Sequence, residues 1–277
     1  MSSTSTVPTT ARTLEIPGAR LYYEVRGEGP LVALVGAPMD ATSFAPLADL
    51  LAAEHTVLTT DPRGVKRSVL DDPEQESTPQ LRADDLSLLL AHLNAGPATV
   101  LGSSGGAVTA LALAEAYPEL VRTVVAHEAP LIELLPDREQ LHAQTEDIIA
   151  THLAGDVRGA WAKFLDQANI DMPEEMFETV FGGKREPQQA ADEYFWFAHE
   201  LRGTTHWRPD LAALRSSGVG IVVGIGEGST DQICDRTSRA LATALGIEPT
   251  IFPGDHLGFV EEADAFVVRL REVLGES

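Results

Sequence analysis

Short apolar runs alternate with amphipathic segments along most of the chain. The apolar runs are typical of buried strands and lie at 20–26, 31–35, 55–60, 98–101, 121–127, 221–224 and 249–252. Helical spacing and capping residues predict helices between them, at 43–54, 78–96, 105–117, 230–246 and 259–274. Strands that alternate with helices in this way predict an α/β fold, with a mostly parallel central sheet and helices on both faces.

The alternation stops between residues 131 and 210. This stretch, called the helical insert below, is helical in pattern and holds nine of the 16 aromatic residues. Helices inserted into a parallel α/β chain are most simply a lid over the carboxyl ends of the strands, where such sheets bind ligands. The predicted organisation is therefore a disordered tail at 1–12, a sheet domain formed by 13–130 and 211–277, and a helical lid at 131–210.

One motif carries chemistry. Residues 102–106 read Gly-Ser-Ser-Gly-Gly, which matches the pattern G-x-S-x-G with Ser104 at its centre. A predicted strand precedes it and a predicted helix follows it, so the serine lies at a sharp strand-to-helix turn. A serine hydroxyl alone is a poor nucleophile, so this chemistry also requires a nearby base and an acid that orients the base.

Four segments in chain order resemble the α/β-hydrolase fold family. They are Val35-Gly36-Ala37-Pro38, Asp-Pro-Arg-Gly at 61–64, the turn at Ser104, and Pro253-Gly254-Asp255-His256. The resemblance spans residues 14–274 and implies that Ser104 is the nucleophile and that backbone N–H groups of Gly105 and Ala37 form the oxyanion hole. Of the eight histidines, only His256 lies in a loop directly after a C-terminal strand, so it is the candidate base.

The acid is where the chain departs from the usual family pattern. In most α/β hydrolases the acid follows the seventh strand, but the turn at 221–229 has no acidic residue at the usual position. The zearalenone-lactone hydrolases place their acid after the sixth strand, and their sequence in this region is similar to residues 102–130 here. This resemblance implies Glu128 as the acid, and Asp231, at the start of the next helix, is the alternative.

Methionine, aromatic and histidine side chains of the helical insert are the candidates for a substrate pocket. Aromatic residues on helices are more often part of a plain core, but some must face the edge of the sheet if the insert is a lid. The candidates lie on two stretches of the insert and are Met172, Met176, Phe177, Trp196 and His199. Such a pocket would be apolar and would suit a neutral, hydrophobic substrate.

The net charge of the chain limits the classes of partner that it can bind. The chain has 42 acidic and 20 basic side chains, a net charge of −22, and the helical insert alone contributes −9. A field of this sign repels phosphate backbones and anionic membranes, so we expect a small-molecule substrate and neither nucleic acid nor membrane as a partner. An acidic rim around the insert also favours neutral substrates over carboxylates.

Several other features predict what the chain lacks. A single cysteine excludes an intrachain disulfide and an all-cysteine metal site, and no zinc or nucleotide motif has the required spacing, so neither a metal nor a cofactor is expected. No apolar run approaches the ~18–20 residues needed to cross a bilayer, and the first twelve residues lack the apolar stretch of a secretory signal. A cytoplasmic protein is therefore expected.

Together these features predict a cofactor-independent serine hydrolase that cleaves a neutral, hydrophobic carboxylic ester or lactone through an acyl-enzyme. Two alternatives stay open. The same fold also serves perhydrolysis, C–C bond cleavage and cyclisation in secondary metabolism, and it includes ligand-binding members without enzymatic activity. The identity of the substrate depends on side chains of the insert whose directions a sequence does not give, and the oligomeric state is equally open.

Overall fold

The strands at the centre of the sheet are buried on both faces, as parallel strands between two helix layers must be. Leu31–Val35 and Ala98–Ser103 are buried at every position, whereas Ala19–Arg26, nearer the edge, has exposed and half-buried positions. The computed structural model describes residues 8–275. Its strands are β1 (Thr9–Ile16), β2 (Ala19–Arg26), β3 (Leu31–Val35), β4 (Thr56–Thr60), β5 (Val69–Leu70), β6 (Ala98–Ser103), β7 (Val121–His127), β8 (Gly220–Gly226) and β9 (Thr250–Phe252).

These strands form one sheet in the order β1-β2-β4-β3-β6-β7-β8-β9, with β5 paired to β2. All pairings that involve β2 are antiparallel, and the others are parallel. The register sets Ser103 opposite His127 and His127 opposite Gly224. The carboxyl ends of β6, β7 and β8 therefore meet at one edge of the sheet, and the predicted α/β fold is confirmed.

Helices cover both faces of the sheet. They are α1 (Ala45–Leu51), α2 (Pro79–Leu93), α3 (Gly105–Ala116), α4 (Arg138–Leu153), α5 (Val157–Ala168), α6 (Glu174–Phe181), α7 (Pro187–Phe195), α8 (Leu201–Thr205), α9 (Leu211–Ser216), α10 (Ile233–Leu245), α11 (Gly258–Glu261) and α12 (Ala263–Leu274). Side chains of α2, α3 and α10 pack on one face, and side chains of α1, α11 and α12 pack on the other. None of the described helices is long and apolar enough to cross a bilayer.

The helical insert lies between β7 and β8 and contains α4 to α8, a π-helical turn at Trp196–Glu200 and no strand. It packs through two apolar clusters. One joins Leu141 of α4 to Ile233 and Cys234 at the start of α10. The other is an aromatic cluster inside the insert, in which Trp161 stacks on Trp196 with ring centroids 5.1 Å apart.

The prediction of a disordered tail at 1–12 is wrong for its last residues. Thr9–Ile16 forms β1, which pairs with β2 along its whole length, from Thr9 opposite Arg26 to Ile16 opposite Ala19. This strand is mostly exposed, so it lacks the apolar pattern by which buried strands are recognised, and its backbone hydrogen bonds to β2 hold it in place. Residues 1–7 of the predicted tail lie outside the described residues.

Candidate active site

Ser104 lies at a strained turn between β6 and α3. Its backbone has φ 56° and ψ −126°, a region that residues with a side chain rarely adopt. The turn is tight because Gly102 and Gly106 approach closely: a Cβ on Gly102 would lie 2.2 Å from the Gly106 carbonyl oxygen. The glycines of the motif therefore permit the backbone that projects the Ser104 hydroxyl away from the sheet.

Two backbone segments meet beside Ser104. Gly105 begins α3, where the helix dipole and free N–H groups favour negative charge. Gly105 also lies against Ala37 in the turn after β3, since a Cβ on Gly105 would be 2.5 Å from the Ala37 carbonyl oxygen. The predicted oxyanion-hole residues are thus neighbours, and both line the same cavity as Ser104.

His256 and Glu128 form a short charged hydrogen bond. Nδ1 of His256 is 2.6 Å from Oε2 of Glu128, and the other carboxylate oxygen, Oε1, accepts a hydrogen bond from the Gly226 N–H at 2.8 Å. Glu128 is fully buried immediately after β7, with φ 54°, and its own N–H donates to the Gly224 carbonyl at 3.0 Å. Contacts to β8 therefore fix both the backbone and the carboxylate of Glu128, so that it holds the imidazole in one orientation.

The pair is most stable as imidazolium and carboxylate. Burial raises the pKa of Glu128, but the hydrogen bond and charge of His256 outweigh burial and lower it to about 2. Burial lowers the pKa of His256, but the neighbouring Cys234 and Glu128 raise it well above its ordinary value of 6.5. Burial also raises the pKa of the Cys234 thiol, which is therefore uncharged at neutral pH, so Glu128 is the charge that stabilises the imidazolium.

The alternative acid lies elsewhere. Asp231 is exposed, and it forms hydrogen bonds through its backbone: its carbonyl accepts from the Asn169 side chain, and its N–H donates to the Asp235 carboxylate. The usual position of the acid, in the turn after β8, holds the buried Ser229, whose hydroxyl also lowers the pKa of Glu128. The structure therefore sets Glu128, and not Asp231, against His256.

Ser104 and His256 open into one cavity beneath the helical insert. The insert supplies Trp196 and other apolar or uncharged side chains. The lining residues besides the four already described are Pro130, Ile132, Phe164, Gln167, Ala168, Ile170, Trp196, Leu201, Thr204, Thr205, Gln232, Ile233 and Cys234. None of the lining residues is Asp, Glu, Lys or Arg.

Of the five predicted substrate-binding residues, only Trp196 lines this cavity. Met172 and Phe177 line a separate outer groove, where the Arg158 guanidinium lies 4.8 Å from the Phe177 ring centre. Met176 is 54% exposed. The structure does not place these three side chains in the cavity, because Met172 and Phe177 lie beside Arg158 of α5 in the other groove and Met176 is exposed.

His199 is also absent from the cavity lining. Its ring nitrogens lie 3.5 Å from Glu76 and 3.6 Å from Glu74, and its carbonyl accepts a hydrogen bond from the Ser77 N–H. His199 therefore joins the π-helical turn to the loop before α2. A π-helical turn changes the directions of side chains relative to those in an α-helix. His199, three residues after Trp196, therefore does not point to the same side as Trp196, as α-helical spacing would predict.

Several cavity residues were not predicted from the sequence. Phe164 lies on the strongly amphipathic helix α5, which marks it as inward-facing but not as part of a cavity. Ile132 lies at the start of the insert and Cys234 at the start of α10, and both line the cavity. No local signal in the sequence distinguishes them, because their place depends on how α10 and the insert pack together.

Comparisons with known proteins agree with this architecture. A family model described as the alpha/beta hydrolase fold matches residues 29–196. The uncharacterized hydrolase YraK of Bacillus subtilis (strain 168) is 32% identical over 95% of this chain and 95% of its own length. A zearalenone hydrolase of Bionectria ochroleuca is 30% identical over 93% of this chain and 95% of its own length.

A solved structure of a thermophilic esterase from Thermogutta terrifontis shares the fold. It superposes with a TM-score of 0.72 over 96% of this chain and 98% of the esterase, at 20% identity. At that identity the similarity speaks for the fold alone.

Proposed function

The chain belongs to the α/β-hydrolase fold family and has hydrolases among its relatives, and from this premise we propose that it is a serine hydrolase that cleaves a neutral, hydrophobic carboxylic ester or lactone. One observation carries the proposal. Ser104 lies at a strained turn in the same cavity as His256, and Nδ1 of His256 is 2.6 Å from Oε2 of Glu128. A nucleophile, a base and an orienting acid are the three groups that acyl transfer requires.

In the first half of the reaction, Ser104 Oγ attacks the carbonyl carbon while His256 accepts the hydroxyl proton. The tetrahedral intermediate collapses as the C–O bond to the alcohol breaks, and His256 returns the proton to the leaving oxygen. The product is an acyl-enzyme and an alcohol. For a lactone the alcohol stays attached to the acyl chain.

In the second half, water attacks the acyl-enzyme and His256 again accepts a proton. The bond between the acyl carbon and Ser104 Oγ breaks, the serine regains its proton from His256, and a carboxylic acid leaves. The negative charge of each tetrahedral intermediate faces the N–H groups of Gly105 and Ala37 and the dipole of α3. Glu128 stays ionised throughout and stabilises the imidazolium form.

The lining of the cavity supports a neutral, hydrophobic substrate. Phe164, Trp196 and Ile233 are among the apolar side chains around the site, and hydroxyl and amide groups of Thr204, Thr205 and Gln232 supply the polar contacts. A carboxylate on the substrate would have no Lys or Arg partner in the cavity, so its desolvation would be uncompensated. The name of the zearalenone hydrolase relative is consistent with such a substrate.

A labelling experiment combined with a substrate panel tests the proposal. We expect a fluorophosphonate to form one adduct, located on Ser104 by peptide mass spectrometry, and we expect turnover of p-nitrophenyl esters or of aromatic lactones. Neutral esters should be better substrates than matched esters bearing a carboxylate. A fluorophosphonate that leaves Ser104 unlabelled, together with no turnover across the panel, would refute the proposal.

A further inference from the structure

Cys234 is the only cysteine of the chain, and it lies beside the Glu128–His256 pair. It is the second residue of α10 and is buried, and it lines the same cavity as Ser104. One ligand atom from each of Glu128, Cys234 and His256 lies within 4.8 Å of the other two. Hydrolysis as proposed above makes no use of the thiol.

The three side chains are a donor set suited to zinc. Zinc binds cysteine sulfur, histidine nitrogen and carboxylate oxygen at about 2.0–2.3 Å, which separates the donors of a tetrahedral site by about 3.3–3.8 Å. To share one ion, the most widely spaced donors need to close by about 1–1.5 Å, and Nδ1 of His256 and Oε2 of Glu128, now 2.6 Å apart, need to open by at least about 0.7 Å. Within residues 8–275 this is the only group of three or more such side chains with this spacing.

The surroundings favour a cation as well. Glu128 and Cys234 are buried, so they are shielded from competing water, and no Lys or Arg lines the cavity to repel an ion. Because Cys234 and His256 face the cavity, the fourth coordination position of a bound ion would point towards it. That position could be taken by water.

We propose that Glu128, Cys234 and His256 form an inhibitory site for a thiophilic divalent cation such as Zn²⁺ or Cd²⁺. On binding, the ion displaces to solvent the thiol proton and the proton shared by His256 and Glu128. An imidazole and a carboxylate that ligate an ion no longer relay the proton of Ser104. The inhibition rests on the proposed function, whereas the binding does not.

Binding is tested with Cd²⁺ alone and with the Ser104→Ala protein, whose inactivity keeps the result independent of the proposed reaction. Cadmium bound to a thiolate has an ultraviolet charge-transfer absorption, and with one cysteine per chain any such absorption reports Cys234. We expect it to saturate at one Cd²⁺ per chain. Adding Cys234→Ser should abolish it, and adding His256→Ala or Glu128→Gln should weaken the Cd²⁺ affinity at least tenfold.

A matched control removes a histidine outside the cluster. His142 stacks on His206 in the helical insert, with ring centroids 3.7 Å apart, so His142→Asn should leave the Cd²⁺ affinity unchanged. No charge-transfer absorption, or an absorption of unchanged affinity in the His256→Ala and Glu128→Gln proteins, would overturn the site. The second result would mean that the thiol binds the ion alone.

Inhibition is tested on the protein with Ser104 intact. Zn²⁺ should inhibit ester hydrolysis, Mg²⁺ at the same concentration should not, and a chelator should restore activity. In Cys234→Ser and in Cys234→Ala, each measured relative to its own activity without metal, the Zn²⁺ concentration for half-inhibition should rise at least tenfold. Equal sensitivity of both variants and the unmodified protein would overturn the inhibitory role even if Cd²⁺ binds.

Discussion

Two serine–histidine pairs lie at the carboxyl end of β6, and they differ in burial, in backbone conformation and in the charge that faces the histidine. Ser103 is bonded to His127, with Oγ 3.1 Å from Nδ1. Ser104 shares a cavity with His256. The first pair is completely buried, whereas His256 is partly exposed and Ser104 stands at the strained turn.

The two histidines have opposite surroundings. His127 is enclosed by the rings of Phe252, Phe259 and Phe266, with centroid distances of 5.8, 6.2 and 5.4 Å. Burial lowers the pKa of His127 to about 4, even though Glu128 is the next residue along the chain. The carboxylate of Glu128 instead contacts His256, whose pKa it raises.

This difference shows that two serine–histidine pairs of the same residue types can have opposite surroundings. Ser103 is the last residue of β6 and belongs to the sheet, whereas Ser104 belongs to the turn that projects from it. His127 is likewise a strand residue, whereas His256 lies in a loop. The Ser103–His127 pair inside the sheet is neutral and is part of the packed core. The Ser104–His256 pair beyond the strand ends lines the cavity, and its histidine contacts the ionised Glu128.

The largest expected effect separates the two serines. Ser104→Ala removes the proposed nucleophile, so we expect kcat/KM for a p-nitrophenyl ester to fall on the order of 10⁴-fold or more. Ser103→Ala is the matched control and should stay within about tenfold of the unmodified protein, since it removes only a buried hydrogen bond worth about 1 kcal/mol. Equal losses from the two substitutions would remove the distinction between the pairs.

The next effect concerns the acid. Glu128→Gln keeps the shape of the side chain but removes the charge that orients His256, so kcat should fall about 10²–10⁴-fold. Asp231→Asn should change kcat less than about threefold, because Asp231 is exposed and its hydrogen bonds to Asn169 and Asp235 come from its backbone. A greater loss from Asp231→Asn than from Glu128→Gln would assign the acid to Asp231.

A third effect is on stability and concerns His127. Its pKa is about 4 when folded and 6.5 ordinarily, so its contribution to the free energy of unfolding is fully present above pH 6.5 and is lost as the pH falls towards 4. At full extent this amounts to about 3 kcal/mol. Denaturant unfolding at several pH values should therefore show a weaker loss of stability in acid for His127→Phe, and parallel curves for the two proteins would contradict this.

The smallest effect is a displacement of the pH profile. His256 must be neutral to accept the proton of Ser104, and its pKa lies well above 6.5, so kcat/KM should rise with pH through a midpoint above 6.5. Glu128→Gln should move this midpoint to lower pH because it removes the negative charge beside His256. His127→Phe should leave the midpoint in place. An unchanged midpoint in Glu128→Gln would show that Glu128 does not stabilise the imidazolium.

The sheet and the turn at Ser104 could be predicted because their signals are local. Thr78 caps α2 by accepting a hydrogen bond from the Leu81 N–H, and Pro79 is the first residue of that helix, as expected from the sequence. The five residues of the motif likewise define the turn without help from distant parts of the chain. Glu128 could be predicted for a related reason, since its position follows from the end of β7 and a resemblance over residues 102–130.

The lining of the cavity could not be predicted in the same way. Apolar spacing shows which side of a helix is buried, but not whether that side faces another helix, the sheet or a cavity. Phe164 and Phe177 have the same local pattern on α5 and α6, yet only Phe164 reaches the cavity. Cys234 has no pattern of its own, and its place beside His256 follows from the packing of α10 against β8.

The position of the helical insert has an evolutionary consequence. The chain enters it three residues after Glu128, but the residues before that point are pinned: Glu128 N–H bonds to Gly224, and the Ala129 carbonyl accepts a hydrogen bond from the Thr237 hydroxyl at 2.6 Å. The insert therefore begins at a point of the sheet domain whose backbone is held in place by hydrogen bonds. Exchanging it for that of a relative would change which molecules are accepted while leaving the reacting groups where they are.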